Sequence, residues 1–568
     1  MVAPLGSGLP VRRGMKKPLE ALLRDACERA TKGGELLTTT LPPLLLSVPK
    51  ELEHGDLASN LALVLARGEK RPPRAVAETI VRHLDDQEKI LAAVEIAGPG
   101  FINFRFAPAY WWSLLRDIEA AGEAYGRSTL GAGRRVQIEF VSANPTGPLH
   151  VGHARGAVTG DALARLLEAT GHEVAREYYV NDAGNQIAML GASTYARYAE
   201  LCGRTVPFPE NGYQGDYVRD VAATIHATEG ARWMDVDAAE ARAALGDAAG
   251  AILLEAIRDD TAALTISFDR YVSERQLRAE GAVDATLAAL ADAGYLYEAD
   301  GARWFRSTAF GDDKDRPLVK TGGELTYFAA DVAYHRAKYG AGYDRIIDVW
   351  GADHHGHVPR MKAALSALGL DPARLEVVLV QIVSLTRGGE PVRMGKRSGE
   401  FVTLREVVDE VGADATRFFL LMRKSDAQLE FDLDLAKQRT AENPVFYVQY
   451  AHARVASIFR AAHEVGLDRA AVAAADPSRL VQEEELALIR RLAQFPEIVE
   501  GAALELEPHR VVFFLMELAG EFHRYYNRTR ILGDDRDLAA ARLMLAANVQ
   551  KTIRAGLAIL GISAPDSM

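Results

Sequence analysis

Two histidines in a short loop are the first residues of this chain whose type and spacing suggest chemistry. His150 and His153 lie in ANPTGPLHVGHARG, residues 143–156, between a predicted buried strand and a predicted helix. Such loops bind ligands in open parallel sheets, and the free amides at a helix start favour a phosphate. Both imidazoles could donate hydrogen bonds to a phosphoryl group, and Gly152 leaves room for a flat purine or ribose. The bare pattern also fits chance histidines on a polar helix face, but the flanking elements favour a nucleotide site.

A basic segment downstream offers a second part of such a site. VRMGKRSGEFVTL, residues 392–404, follows a predicted strand and combines glycines with adjacent cations, among them Lys396. A loop of this kind can close over a triphosphate and neutralise departing pyrophosphate. A solvated basic turn is the alternative interpretation of the same residues.

The elements around these segments must bring them together, and their order predicts how. RRVQIEFVSAN is a buried-type strand, a long helical segment follows it, and VAREYYV is a second strand. RIIDVW and LEVVLVQIV continue the alternation. This order predicts an α/β, Rossmann-like catalytic domain built on a parallel sheet over residues 129–435.

The rest of the chain divides into segments of different texture. Residues 15–128 combine helical periodicity with the strand-like VEIAGPGFINFRF and predict an N-terminal α+β domain, whereas residues 1–14 predict a disordered extension. Residues 204–262 are rich in alanine and charge, and they predict a helical insertion to which we assign no chemistry. Residues 436–568 carry almost no strand signal and predict an all-α C-terminal domain.

Composition excludes several classes of protein. The chain has 568 residues, of which 48% are hydrophobic and 25% charged, so it is long enough for several domains. Its two cysteines provide neither a disulfide framework nor a four-cysteine zinc site, which favours a reducing cytoplasm. We expect no membrane span, because charges interrupt every apolar run. The net charge of −12 argues against a nucleic-acid partner, but the acid excess lies in the middle of the chain and the two ends are near neutral.

Both chemical segments resemble the signatures of class I aminoacyl-tRNA synthetases. HVGH at 150–153 is similar to the HIGH motif, and RMGKR at 393–397 is similar to the KMSKS loop, although Arg393 replaces its first lysine and Gly395 its serine. The flanking segments narrow the resemblance to bacterial arginyl-tRNA synthetases over nearly the whole chain. They include VSANPTGPLHVGHARGAVTGDALARLL, REYYVNDAGNQI, FDRYVSE, LTYFAADVAYH, WGADHHGHVPRM and NPVFYVQYAHAR.

The resemblance implies a reaction in two steps and a set of residues for the first. Arginine would be activated with ATP to arginyl-adenylate, with release of pyrophosphate, and then transferred to the 3′ end of tRNA(Arg). The catalytic residues so implied are His150, His153 and Lys396. The implied ATP-binding residues are Pro148, Gly152, His153, Asp353, His354, Met394 and Lys396. Because Arg393 and Gly395 depart from the signature, Lys396 is the expected pyrophosphate contact.

A guanidinium substrate needs a planar anionic acceptor, ideally a carboxylate that accepts two parallel hydrogen bonds. The implied arginine-binding residues are Glu139, Asn144, Tyr327, Asp331 and His153. Spacing supports part of this set, since Tyr327 and Asp331 are four apart and would share a helix face. An ordinary aromatic residue and a solvated aspartate are the alternative. Asn181 and Gln186, on the loop after the second strand, are candidate wall residues.

The family resemblance also implies partners and cofactors. The N-terminal domain would touch the tRNA elbow through HGDLASNLA, which contains Asn60, and the C-terminal domain would bind the anticodon. The candidate anticodon residues are Arg524, Tyr525, Arg528 and Arg530. Packing of either Tyr525 or Tyr526 in the helical core is the alternative. We expect ATP with Mg²⁺, no zinc, no membrane partner, a monomer, and activation only when tRNA is bound.

Two other functions remain open at this level. A small-molecule nucleotidyltransferase shares the physics of the histidine loop but needs no anticodon domain. A synthetase-derived RNA-binding or regulatory protein would have lost activation, and the changes at Arg393 and Gly395 leave this reading open. Arginine-dependent pyrophosphate exchange in the presence of tRNA distinguishes all three.

Overall fold

The computed structural model describes residues 14–49, 51–392 and 402–568. Its N-terminal part is an antiparallel sheet of order β1-β2-β4-β3 covered by helices. The elements are α1 (Lys16–Lys32), β1 (Leu46–Ser47), β2 (Leu57–Ser59), α2 (Leu61–Glu69), α3 (Pro73–Arg82), β3 (Leu91–Ala97), β4 (Phe101–Phe106) and α4 (Pro108–Ala121). The predicted extension 1–14 lies outside the described residues except for Gly14, whose carbonyl accepts a hydrogen bond from Tyr110 Oη at 2.7 Å.

A five-stranded parallel sheet forms the centre of the chain, as the alternation of strands and helices predicted. Its elements and those inserted between them are β5 (Arg135–Glu139), α5 (Val151–Ala169), β6 (Glu173–Val180), α6 (Asn185–Leu201), α7 (Asp216–Glu229), α8 (Ala238–Ala263), β7 (Arg270–Ser273), α9 (Glu274–Ala279), α10 (Ala282–Asp292), β8 (Leu296–Ala299), β9 (Ala302–Phe305), β10 (Arg316–Val319), α11 (Tyr327–Gly340), β11 (Arg345–Gly351), α12 (His357–Ala367) and β12 (Leu375–Val380). The strand order is β12-β11-β5-β6-β7.

The strand order sets the position of the site. From β5 the chain winds one way through β6 and β7, and it later returns to the other side of β5 as β11 and β12. The crevice between the carboxyl ends of β5 and β11 is therefore a topological switch point, where open α/β sheets bind ligands. Glu139, the last residue of β5, pairs there with Asp348 of β11. The register thus places two acidic residues side by side at this edge.

Two small sheets correct the sequence-based interpretation. The apolar run LEVVLVQIV, predicted as one strand, ends its parallel pairing at Val380, and the chain then enters β13 (Val383–Arg387) of a separate sheet. That sheet and its helices comprise β14 (Glu390–Pro391), α13 (Leu404–Val411), α14 (Ala413–Leu420), β15 (Leu429–Asp432) and α15 (Leu433–Lys437). The antiparallel β10-β9-β8 sheet was not predicted. Its strands have four residues each, too few to show a period.

The segment predicted as a helical insertion is helical in the structure, where α7 and α8 pack on α6. Their shared core contains Leu190 of α6 and Leu245 of α8, both buried. The helices approach closely at Gly191, where an added Cβ would lie 2.1 Å from the carbonyl oxygen of Arg242. A side chain at Gly191 would push α8 away from α6.

The C-terminal part is all helical, as predicted. It consists of α16 (Pro444–Glu464), α17 (Arg469–Ala473), α18 (Glu483–Glu505), α19 (His509–Arg528) and α20 (Arg536–Ile559). These helices pack on the N-terminal part, where Tyr125 Oη donates to the carbonyl of Leu492 at 2.7 Å. Asn548 Nδ2 donates to the carbonyl of Leu115 at 3.0 Å. Among the described helices, none has the length and apolar character to span a bilayer.

Candidate active site

The two histidines cap the first turn of α5 and cap each other. The amide of Gly152 donates to His150 Nδ1 at 3.1 Å, and the amide of His150 donates to His153 Nδ1 at 3.3 Å. The rings stack with their centroids 3.8 Å apart and their planes 27° from parallel. Since both Nδ1 atoms accept, a neutral ring carries its proton on Nε2. Each imidazole is therefore arranged as an N–H donor at a helix N-terminus.

The His150 ring leaves no room for a side chain at position 152. An added Cβ would lie 2.8 Å from both Nδ1 and Cε1 of the His150 ring. Such a contact would displace the ring from its capping position, so the glycine is needed for the geometry of His150 itself. This steric requirement is distinct from the room that Gly152 is expected to leave for a purine or ribose. Pro148, the other predicted ATP contact in this loop, is half-buried.

A sharp turn carries the chain from β5 into the histidine loop. Val141 and Ser142 both have positive φ, at 68° and 41°, which is strained for residues with a Cβ and most of all for a β-branched one. Ser142 Oγ stabilises the turn, because it donates to Glu139 Oε1 at 2.7 Å and accepts from the Tyr179 amide at 3.1 Å. Beyond the turn, Asn144 Nδ2 donates to Gln186 Oε1 at 2.5 Å.

Glu139 belongs to a buried charge network. Lys338, from α11, is 3% exposed; its Nζ donates to Glu139 Oε2 and, at 2.7 Å, to Asp348 Oδ1. His335 Nε2 lies 2.7 Å from the other oxygen of Asp348, and its Nδ1 lies 2.7 Å from the carbonyl oxygen of Asp331. Both carboxylate oxygens of Glu139 thus have partners within the chain. The structure therefore assigns Glu139 internal partners that the sequence analysis did not foresee.

Asp348, Lys338 and Glu139 differ in how strongly the network favours the charged form of each. Burial opposes ionisation of Asp348, but the charges and hydrogen bonds of Lys338 and His335 hold its pKa at about 2. Burial would lower the pKa of Lys338, but Asp348 and Glu139 raise it above the usual range of a lysine. Burial raises the pKa of Glu139, and Lys338 offsets this only in part. Lys338 and Asp348 are thus the firmly charged pair, and Glu139 is the carboxylate most readily protonated.

A second acidic cluster lies beside the first, around Tyr179. Glu274 follows β7 directly, is 2% exposed and pairs with Arg278. Burial first, and then the charges of Glu274 and Asp331, raise the pKa of Tyr179. Burial also raises the pKa of Glu274, although Arg278 opposes this, and Asp331 adds to the rise. Oriented to donate, the Asn181 amide lies 3.0 Å from Glu274 Oε2.

The predicted aromatic–acid pair occupies the start of α11. Tyr327 is the first helical residue and is 56% exposed, whereas Asp331, one turn later, is half-buried. Asp331 Oδ2 lies 3.3 Å from His357 Nε2, at the start of α12. Glu274 was missed entirely. Its signal was its place in FDRYVSE, immediately after a strand that joins the parallel sheet.

The remaining predicted ATP residues divide into two groups. Asp353 and His354 are exposed in a short 3-10 helix that follows β11 at the same edge of the sheet. Met394 and Lys396 lie outside the described residues. Downstream of these two residues, the chain contacts the histidine loop again. Thr403 forms an isolated β-bridge with His150, and the Leu404 amide donates to the Leu149 carbonyl at 2.8 Å. In the described part of the chain no cluster of three or more His, Cys, Asp or Glu side chains could hold a metal ion.

The candidate tRNA residues on α19 and its C-terminal end do not share one environment. Arg524, Arg528 and Arg530 are exposed. Tyr525 is 2% exposed and its hydroxyl donates to Glu485 at 3.2 Å, so the alternative interpretation, a tyrosine packed in the helical core, describes Tyr525 in this structure. A buried ring offers no face on which a base can stack.

The neighbouring tyrosine supplies the exposed ring instead. The Arg454 guanidinium lies 4.5 Å from the Tyr526 ring centroid and 4.6 Å from that of Tyr450. This ladder, in which a cation lies between two partly exposed aromatic rings, joins α16 to α19. Tyr526 is distant in sequence from Arg454 and Tyr450, so local patterns do not predict the ladder. At the other end of the molecule, Asn60 is half-buried at the N-cap of α2, and its side chain makes no capping hydrogen bond.

Three family models together match nearly the whole chain. The model described as "Arginyl tRNA synthetase N terminal domain" matches residues 17–106, "tRNA synthetases class I (R), catalytic domain" matches residues 117–456, and "DALR anticodon binding domain" matches residues 448–568. Arginine–tRNA ligase from Syntrophotalea carbinolica is 51% identical over 98% of this chain and 100% of its own length. The same figures hold for that of Desulfosudis oleivorans.

The fold is also that of a solved relative. Thermus thermophilus arginyl-tRNA synthetase superimposes with a TM-score of 0.76 over 97% of this chain and 100% of its own, at 24% identity. At that identity the likeness is evidence for the fold alone. The arrangement of an N-terminal domain, a parallel-sheet domain and a helical C-terminal domain is common to both chains.

Proposed function

The chain belongs to the arginyl-tRNA synthetase family and is an arginine–tRNA ligase of class I, and from this premise we propose how its residues divide the reaction. The match extends through the anticodon-binding domain, so a small-molecule nucleotidyltransferase or a non-activating RNA-binding protein has no support. The observations that carry our assignment are the acidic cluster around Tyr179 and the pair of stacked imidazoles, both on segments at the carboxyl ends of the parallel strands.

The arginine side chain binds in the acidic cluster around Tyr179. Asp331 accepts hydrogen bonds from the guanidinium, Glu274 adds a fully buried carboxylate, and Tyr327 closes the outer end. An ammonium cannot match the planar fork of a guanidinium against a carboxylate, so this arrangement selects against lysine. Asn144, held by Gln186, binds the α-amino or carboxylate end of arginine.

Glu139 acts at the base of the same pocket. Its carboxylate is shared between Lys338 and Ser142, so we assign it the task of completing the negative wall rather than receiving a full ion pair from the substrate. His153 lies between this pocket and the phosphates of ATP and contacts both substrates. The arginine carboxylate is thereby directed at the α-phosphorus.

ATP binds against the start of α5 and the end of β11. Pro148, Gly152, Asp353 and His354 hold the nucleoside and its phosphates. His150, His153 and Lys396 donate hydrogen bonds to the transferring and leaving phosphates, and Met394 lies beside Lys396. The arginine carboxylate oxygen bonds to the α-phosphorus as pyrophosphate leaves, and positioning and electrostatics supply most of the acceleration. When bound together with ATP, Mg²⁺ would supply neutralisation of the phosphate charge.

The tRNA contacts both ends of the chain. Its elbow lies against the region of Asn60, and its anticodon contacts the C-terminal helices. The exposed arginines and the Arg454–Tyr526 ladder are assigned to the anticodon, and Tyr525 is not. The ribose hydroxyl at the 3′ end then bonds to the carbonyl carbon of the arginyl-adenylate, and AMP leaves as its bond to that carbon breaks. We further propose a monomer in the cytoplasm that activates arginine only with tRNA bound, and domain boundaries near residues 128 and 435.

Separate titration of the two substrates tests this assignment. Arginine-dependent pyrophosphate exchange is measured with tRNA present for the wild-type protein, Asp331→Ala and Glu274→Gln. Both variants are expected to raise the KM for arginine by about tenfold or more, with a far smaller change in the KM for ATP. Glu168→Gln, which removes an exposed partner of Arg176, serves as the control and leaves both constants unchanged. Equal shifts in the two constants would make the carboxylate structural and overturn its assigned role.

A further inference from the structure

An arginine two residues after His153 is completely buried and is bonded to main-chain oxygens. Arg155, on α5, is 0% exposed. Its Nη1 donates to the carbonyls of Gln381 at 3.0 Å and Ala427 at 2.7 Å, and its Nη2 donates to the carbonyl of Lys424 at 2.9 Å. Within residues 14–49, 51–392 and 402–568, no carboxylate lies at ion-pair distance from it. Three carbonyls from two separate segments are therefore gathered on one cation.

Stability alone does not call for such an arrangement. A buried guanidinium without an anionic partner loses its hydration and recovers only part of that loss from neutral acceptors. Burial accordingly lowers the pKa of Arg155 to about 10, and Asp426 only partly opposes this. An apolar residue of similar volume would fill the space without this desolvation penalty. A residue that is costly for stability and fixes three backbone atoms is well suited to holding segments in place.

The segments it holds border the ATP side of the site. Gln381 follows Val380, which pairs with Gly351 at the end of β11, and Gly351 immediately precedes Ala352–His354. The Gln381 amide donates to the carbonyl of Ser425 at 2.8 Å, so the crossover from β12 to β13 is fixed from both sides. The next residue, Ile382, is 73% exposed at this carboxyl edge. Arg155 thus joins the helix of the histidine pair to the edge of the sheet that carries Asp353 and His354.

We propose that Arg155 is a positioning residue for the ATP half of the site, acting through the carbonyls of Gln381, Lys424 and Ala427. Its guanidinium sets the separation between the imidazoles at the start of α5 and the carboxyl ends of β11 and β12. It contacts no substrate. A displacement of this edge by about 1 Å would misplace ATP relative to the histidines and cost up to about a hundredfold in rate. The inference rests on the proposed ATP site and extends it by one residue.

The chain offers a matched control in a second fully buried arginine. Arg417 is 0% exposed, and it donates to the carbonyls of Leu560 and Leu264, both at 2.8 Å, and to Asp161 Oδ2 at 2.6 Å. It joins α14 to α5 and the C-terminal end of the chain without contacting the β12–β13 crossover. Replacement of Arg417 is expected to disturb the core at least as much as replacement of Arg155. It is not expected to displace the carboxyl ends of β11 and β12.

The experiment compares Arg155→Lys, Arg155→Met and Arg417→Lys in the full-length protein. Pyrophosphate exchange with tRNA present gives kcat and the two KM values, thermal denaturation gives stability, and filter binding gives tRNA affinity. Arg155→Met is expected to raise the KM for ATP and lower kcat, each by about tenfold or more, with arginine KM and tRNA affinity within about twofold. Arg155→Lys is intermediate, because an ammonium reaches fewer of the three carbonyls.

Three results decide between positioning and general destabilisation. Arg417→Lys is expected to lower the midpoint of thermal denaturation while its KM for ATP stays within about twofold. The proposal is overturned if substitution of Arg155 and substitution of Arg417 have the same kinetic effects. It is also overturned if the KM for ATP and the KM for arginine change by the same factor. If Arg155→Met does not fold, the kinetics of Arg155→Lys decide between the two explanations. A KM for ATP in Arg155→Lys equal to that of the wild-type protein refutes the inference. Absence of arginine-dependent exchange in the wild-type protein would instead refute the proposed function.

Discussion

Removal of the Lys338 ammonium tests the buried network most directly. The substitution Lys338→Met keeps the volume of the side chain and deletes the ammonium that pairs with both Glu139 and Asp348. Lys338 Nζ lies 2.7 Å from Asp348 Oδ1, and the whole side chain is buried. Among the described residues, His335 remains as a hydrogen-bond partner of Asp348, and the hydroxyl of Ser142 remains as that of Glu139. The variant therefore leaves one buried carboxylate without a compensating charge.

The expected loss follows from that uncompensated charge. Breaking a buried ion pair by removing one partner costs about 3–5 kcal/mol of unfolding free energy. This loss of unfolding free energy depends on pH. Burial already raises the pKa of Glu139, and in the variant the charge of Lys338 no longer opposes that rise. The folded variant then binds a proton more tightly than the unfolded chain, in which a glutamate titrates near about 4.3. The loss is complete above the folded pKa and shrinks as pH falls through it.

Denaturation of two related variants measures this effect. Unfolding free energies are compared at pH 7.5 and pH 5.5 for Lys338→Met and for the double variant with Glu139→Gln, in which the orphaned charge is absent and much of the loss is recovered. Lys320→Met removes an exposed pair with Glu324 and is expected to cost less than about 1 kcal/mol. A loss below about 1 kcal/mol in Lys338→Met, or no recovery in the double variant, would refute the reasoning.

Three further predictions concern chemistry, tRNA and acid. His153→Ala is expected to lower the rate of pyrophosphate exchange by about two orders of magnitude or more at unchanged tRNA affinity, and an unchanged rate would remove its role. Tyr526→Ala is expected to weaken tRNA binding in filter assays by about 1–3 kcal/mol, whereas Tyr525→Phe leaves it unchanged. Burial lowers the pKa of His452, so thermal stability should fall as pH drops below about 6.5, and His452→Gln should reduce that fall.

Local patterns were sufficient for the main architecture. The strand–helix alternation after Arg134 predicted the parallel sheet, and the absence of strand signal after Leu435 predicted the helical C-terminal part. Both follow from hydrophobic periodicity, which a short window of sequence contains. The run LEVVLVQIV was read as one strand because periodicity does not say which sheet a strand joins. Its division at Gln381 depends on Ser425 and Arg155, which are distant in sequence.

The histidine pair at the start of a helix, the basic stretch around Lys396 and the family resemblance of these segments could all be predicted from local sequence. Capping and helix polarity act over a few residues, so they are encoded locally. Three features required the folded chain: the charge interaction of Glu274 with Asp331, the hydrogen bond from Lys338 to Glu139, and the exposure of Tyr526 rather than Tyr525. These outcomes depend on contacts between distant segments, and burial then sets the charge and accessibility of each group.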